Sequence, residues 1–199
     1  MLERGLKSWC ERISLEIRKD LQLSDTAPLD ARALADYLEV PIWDPRELDA
    51  LSSDTLDTLL NEEKNNWSAV TVSCNGSNAI LCNPSHSGGR PSSDIMHELG
   101  HVIIGHEPSR MILSQDGSIV LRSFDPKQEQ EAAWLSGCLL LPRPALLAIL
   151  ATSLSVEAAC QKYNVSPELL TYRLNVTGVT RQMQQRKPKT KKRIRVPRA

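Results

Sequence analysis

The sequence predicts an α+β fold: mostly helices around a small antiparallel β-sheet, with a helical C-terminal segment. Three observations predict it. Apolar residues recur every three or four positions through much of the chain, as in Leu6, Trp9, Ile13, Ile17 and Leu21, which is the period of a helix buried along one face. Between positions 67 and 82 the period changes to two, with β-branched residues flanking Asn75-Gly76, the pattern of a hairpin. Finally, 199 residues with 41% hydrophobic and 24% charged side chains are enough for one sizeable core. That composition excludes a disordered chain, a collagen and a disulfide-scaffold toxin. Only 4% of residues are aromatic, so the core must be built mainly from Leu, Val, Ile and Ala.

Taken in order, residues 3–21 read as an amphipathic helix. Asp30 can cap a second helix running to Leu38, with Leu29 as a staple residue. Residues 40–45 (VPIWDP) read as a short extended piece, and Asp44 or Ser53 can open short helices before a polar stretch. Residues 67–74 and 79–82 are the two strands of the hairpin. A loop rich in Pro, Ser and Gly (83–93) follows, and Ser92 or Ser93 is the expected cap of a helix through Ile104, ended by Gly105. After a turn at 115–118 come a strand at 119–124 and a helix from Asp125-Pro126 to about Leu141, stopped by Pro142 and Pro144. Residues 145–152, 156–163 and 168–174 read as three more helices, with a break at 164–167.

The zero net charge hides an asymmetry. Residues 181–199 carry nine Lys or Arg and no acid, which leaves 24 acidic against 15 basic residues in 1–180, a net charge of −9 there. The expected organisation is a core (1–142), a helical segment holding a candidate helix–turn–helix (143–180), and a basic tail without fixed structure (181–199). No apolar run approaches the roughly 20 residues that span a bilayer. The N-terminus is charged every few residues, unlike a signal peptide. Five cysteines, an odd number with no CxxC pair, suit a reduced compartment. A cytoplasmic protein with no membrane segment is expected.

The sharpest motif is His97-Glu98-Leu99-Gly100-His101. Residues four apart on a helix stack on one face, so both imidazoles can reach one ion at about 2.0–2.1 Å. Glu98 sits where a carboxylate can take a proton from a water at the open coordination position. Chance would produce HExxH in roughly one chain in two hundred of this composition. The surrounding helix is strongly apolar, so its charged and imidazole groups need partners. A catalytic site needs a third protein ligand. His106 lies about 140° further round the helix and beyond Gly105, so it is expected behind a ligand or facing solvent. Glu129 and Glu131 open the later helix on different faces, and either can face the ion while the other faces water.

HELGHVIIGH, followed about 30 residues on by an ExEAxx…LLxP stretch, resembles the ImmA/IrrE family of zinc-dependent metallo-endopeptidases. Residues 33–43 and 155–174 also resemble family segments, so the likeness covers roughly 30–178. The resemblance implies a zincin-like fold, Zn2+ held by His97, His101 and Glu129, and Glu98 as general base toward a metal-activated water. It also implies a regulatory protein substrate, such as a repressor or an antitoxin-like partner. Ala133 stands where the family has Asn or Asp, and Leu135-Ser136 where it has Phe-Ala. The first change removes an expected partner for a zinc-bound histidine. His106, Tyr163, Tyr172 and Arg110 are the candidates for stabilising an oxyanion. The competing expectation is a DNA-binding regulator or toxin–antitoxin component with a non-catalytic core. It rests on Thr171, Arg173 and Asn175 of the candidate helix–turn–helix and on the tail, which could bind nucleic acid through phosphates.

Overall fold

In the computed structural model, which describes residues 3–49, 51–74, 77–87, 89–106, 110–113, 119–122 and 125–186, three helices of 15 residues are the longest. They are α1 (Leu6–Asp20), α4 (Arg90–Ile104) and α5 (Pro126–Leu140). Shorter helices fill the rest: α2 (Ala31–Tyr37), α3 (Ser53–Asp57, running into a π-helical turn), α6 (Arg143–Ala151), α7 (Val156–Tyr163), α8 (Pro167–Thr177) and α9 (Val179–Arg186).

The caps explain most of the boundaries. Asp30 accepts from the Ala33 amide, Asp125 from Lys127, Ser155 from Ala158 and Ser166 from Leu169, each satisfying a donor that the first helical turn leaves free. Several boundaries differ from the sequence expectation, among them the α8 end at Thr177 rather than 174 and the α6 start at Arg143 rather than 145. Helix α4 starts at Arg90, ahead of the serines, because Pro91 fits a first turn whose amides need no partner within the helix. At the C-terminal end, Gly178 in the left-handed region (φ 67°) closes α8 and lets α9 begin with buried Val179. Residues 181–186, expected in a tail without fixed structure, are therefore helical, and the rest of that tail lies outside the described residues.

The sheet is mixed. Strand β2 (Ala69–Cys74) pairs antiparallel with β3 (Ser77–Cys82), with Thr71 opposite Ile80, as the hairpin pattern predicts. The extended piece at 40–45 contributes β1 (Ile42–Trp43), which lies parallel to β3 on its other edge. A parallel neighbour requires a long crossover, and the segment from 44 to 76 supplies it, so the expected purely antiparallel sheet gains one parallel strand. A separate antiparallel ribbon joins β4 (Arg110–Leu113) to β5 (Ile119–Arg122). The expected turn at 115–118 and the end of the strand at 123–124 fall outside the described residues.

Helix α5 runs through the centre of the core. Its Ala132, Trp134, Leu135, Cys138, Leu139 and Leu140 are buried, packed against α1 on one side and α4 on the other. Leu, Ile, Val and Ala dominate the core, as the aromatic-poor composition requires. Cys10, Cys82, Cys138 and Cys160 are free thiols. No single helix among the described residues is long and apolar enough to cross a membrane.

Among the described residues, two arginines are fully buried. Arg18 donates to the carbonyls of Ser14, Ala27 and Leu139, tying α1 to α5; burial pushes its guanidinium down to about 10, still cationic at neutral pH. Arg173 of α8 pairs with Glu11 of α1 at 2.6 Å and donates to the Leu141 carbonyl. Its side chain is only 1% exposed, so it is unavailable to read a base edge. Arg173→Met should lower stability by on the order of 3 kcal/mol, because the Leu141 carbonyl loses its donor and Glu11 loses its cationic partner, keeping only the Arg143 amide. A urea midpoint equal to wild type would contradict this.

Candidate metal centre

Helix α4 carries His97 and His101 one turn apart on the face toward α5. Gly100 sits between them where the two helices touch. A Cβ on Gly100 would lie 2.9 Å from the Ala132 carbonyl oxygen and 3.4 Å from its Cα, so only glycine permits the approach. That approach brings the first turn of α5, and with it Glu129, over the two imidazoles.

The two imidazoles and the Glu129 carboxylate form a triangle of groups, with a different carboxylate oxygen nearest each ring. His97 Nε2 lies 3.2 Å from His101 Nε2 and 3.0 Å from Glu129 Oε2, and His101 Nε2 lies 3.4 Å from Glu129 Oε1. A tetrahedral ion bound at about 2.0–2.1 Å spaces its donors about 3.3 Å apart. The group therefore has the size and donor set of a three-ligand metal site. Among the described residues it is the one cluster of three such side chains close enough to hold an ion. It is partly open on one side: the side chains of His97, His101 and Glu129 are 28%, 13% and 35% exposed.

Glu98, one residue on, turns toward β2. Its Oε2 accepts from both the amide and the hydroxyl of Thr71, each at 2.7 Å. Burial raises the Glu98 carboxyl above its ordinary value, and the two Thr71 bonds oppose that shift. His101 moves the other way: burial, then the neighbouring His97, push it down to about 4, so its ring is neutral at physiological pH. The stability consequence has a definite sign. A histidine whose folded pKa lies below 6.5 is protonated more readily in the unfolded chain, so the metal-free protein loses stability as pH falls from 6.5 toward 4. Glu98 acts oppositely. In a Glu98→Gln background, stability should therefore fall more steeply between those pH values than when His101→Gln is added; equal slopes would refute it.

Helix α4 ends in a Schellman turn. Gly105 adopts φ 81°, its amide donates to the Val102 carbonyl, and the His106 amide donates to the His101 carbonyl. The chain doubles back, so His106 does not continue the helical rotation that placed it 140° away. Its Nδ1 lies 3.0 Å from His101 Nδ1, and its Nε2 lies 3.1 Å from Glu131 Oε2. His106 and Glu131 are both largely buried, at 7% and 10% side-chain exposure. The two carboxylates of α5 thus separate: Glu129 faces the imidazole pair, and Glu131 faces His106 rather than water.

Of the oxyanion candidates, Tyr163 is buried and gives its hydroxyl to the Thr26 carbonyl, and His106 is held as above. Tyr172 packs edge-on against Trp134; Arg110 lies on β4. Thr71 is not legible as a site residue in the sequence. Nothing local connects a strand threonine to a carboxylate 27 residues later, and only the β2–α4 packing does so.

A family model described as the IrrE N-terminal-like domain, a peptidase family, matches residues 54–175. That span covers Thr71, the α4 motif, both glutamates of α5 and helices α6 and α7. No curated protein matches the chain.

Proposed function

Because the chain belongs to the family of peptidases defined by the IrrE N-terminal-like domain, we propose that it is a zinc-dependent endopeptidase that cleaves a regulatory protein, a repressor or an antitoxin-like partner. The observation that carries this reading is the triangle of His97, His101 and Glu129: the imidazole Nε2 atoms lie 3.2 Å apart, and the two oxygens of the Glu129 carboxylate lie 3.0 Å from His97 Nε2 and 3.4 Å from His101 Nε2. Two imidazoles and one carboxylate are a donor set suited to catalytic zinc.

When bound, zinc would supply Lewis acidity toward the scissile carbonyl and the attacking water at the remaining position. The chain's own residues do the rest. His97, His101 and Glu129 hold the ion. Glu98 is held at Oε2 by Thr71, which leaves Oε1 to accept the proton of the attacking water and return it to the leaving amine. Burial helps here, since a carboxyl raised above its ordinary value holds that proton more readily.

The test pairs metal content with cleavage. Wild type should carry one zinc and cut a co-expressed repressor or antitoxin-like partner. His97→Ala and Glu129→Ala should each lose the metal and the activity while remaining folded. A folded wild type that binds no zinc would reject the reading, and metal retention in Glu129→Ala would move the third ligand elsewhere. Reduced, free thiols fit a cytoplasmic setting.

The rival reading, a DNA-binding regulator or toxin–antitoxin component with an inactive core, keeps the +9 charge of residues 181–199 as its support. Thr171 and Asn175 of α8 are exposed, but Arg173 is spent in the core. Salt-dependent DNA affinity that disappears on deleting residues 187–199, with no proteolysis of any partner, would favour it.

A further inference from the structure

We infer that His106 and Glu131 are positioning residues for the proposed metal site, joined in a chain of hydrogen bonds that fixes which nitrogen of His101 is free to bind an ion. The inference rests on the metal-site reading above and extends it to two residues outside the triangle.

The direction of the chain follows from proton counting. A carboxylate has no proton to give, so the contact between His106 Nε2 and Glu131 Oε2 at 3.1 Å needs the proton on His106 Nε2. A neutral imidazole carries one N–H, so His106 Nδ1 is an acceptor. The contact at 3.0 Å between His106 Nδ1 and His101 Nδ1 then takes its proton from His101. That leaves His101 Nε2 bare, and it is this atom that faces His97 Nε2 and Glu129. Lone pairs from His101 and Glu129 meet there at 3.4 Å with no proton between them, an arrangement that a cation stabilises.

A metal-bound histidine commonly donates its other ring N–H to a carboxylate or carbonyl, which fixes the tautomer and raises ligand basicity. Here the carboxylate acts at one remove. His106 is inserted between Glu131 and His101, and Gly105 makes the insertion possible by turning the chain back after α4. Lys127 Nζ, 3.8 Å from Glu131 Oε1, supports the charge of the terminal carboxylate. Ala133 offers no polar side chain at the position where the related family has Asn or Asp. The His106–Glu131 pair provides a histidine partner from a different direction.

The test is zinc affinity, measured by competition with a chromogenic chelator, together with the visible absorption of the Co2+-loaded protein. His106→Leu should weaken zinc binding by about 10–100-fold and change the Co2+ bands. His106→Asn places an acceptor oxygen where Nδ1 stood, so it should recover most of that affinity and the wild-type spectrum. A purely structural role would not be rescued in this way. His106→Leu binding zinc as tightly as wild type would overturn the inference, and so would His106→Asn falling as far as His106→Leu. Should His106→Leu fail to fold, Glu131→Ala carries the same expectation of weakened affinity, and unchanged affinity there overturns it equally. Absence of zinc from folded wild type would instead reject the underlying site.

Discussion

Glu98→Gln should reduce peptide hydrolysis about a thousandfold and leave the zinc content at one per chain. The size follows from the usual contribution of a positioned general base, about 10²–10⁴-fold. Retention of metal follows from the geometry: Glu98 is directed to Thr71 on β2, while the donor triangle comes from His97, His101 and Glu129. Gln keeps the shape and can still accept the two Thr71 bonds through its amide oxygen, so the variant should melt near the wild-type temperature. It loses only the capacity to take a proton. Wild-type turnover in this variant would remove Glu98 from the chemistry. Loss of zinc would show instead that the carboxylate helps to hold the ion.

The second large effect is on the architecture. Gly100→Ala should destabilise the protein by about 1–3 kcal/mol, the usual range for overpacking a tight core, and should weaken metal binding at the same time. The added methyl would meet the Ala132 carbonyl oxygen at 2.9 Å, and that neighbour is backbone rather than a flexible side chain. Helices α4 and α5 can accept it only by moving apart. Movement of α5 carries Glu129 away from the imidazoles, because Glu129 is one turn before Ala132. Chemical denaturation and zinc competition on the same preparation check both parts. A variant as stable as wild type with unaltered affinity would show that the helices have slack the packing does not suggest.

Much of this architecture is written locally. The α7 boundaries and the starts of α5 and α8 follow from capping residues, the presence of α1 from its apolar period, and the β2–β3 hairpin from alternation about Asn75-Gly76. The placement of His97 and His101 on one face is equally local, since a helix brings residues four apart into register wherever it packs. Less is legible where the chain stops being regular. The sequence leaves His106 either behind a ligand or facing solvent; the left-handed Gly105 reverses the path and tucks the ring behind His101, which decides for the first. The extended piece at 40–45 is legible, but its parallel pairing as β1 is not: two residues carry almost no pattern, and their pairing depends on where a distant strand lies.

The sequence by itself determined a helix presenting two imidazoles and a carboxylate, a second helix with two acidic residues at its start, and a strongly basic end. Tertiary structure alone decided which glutamate meets the histidines, that Thr71 holds Glu98, that His106 links His101 to Glu131, and that Arg173 belongs to the core. The division has a physical cause. Helical period and capping act over three or four residues and can be read from neighbours in the chain. Contacts between α4, α5 and β2 depend on how closely the elements approach, which Gly100 and the buried apolar faces set only once the core has assembled.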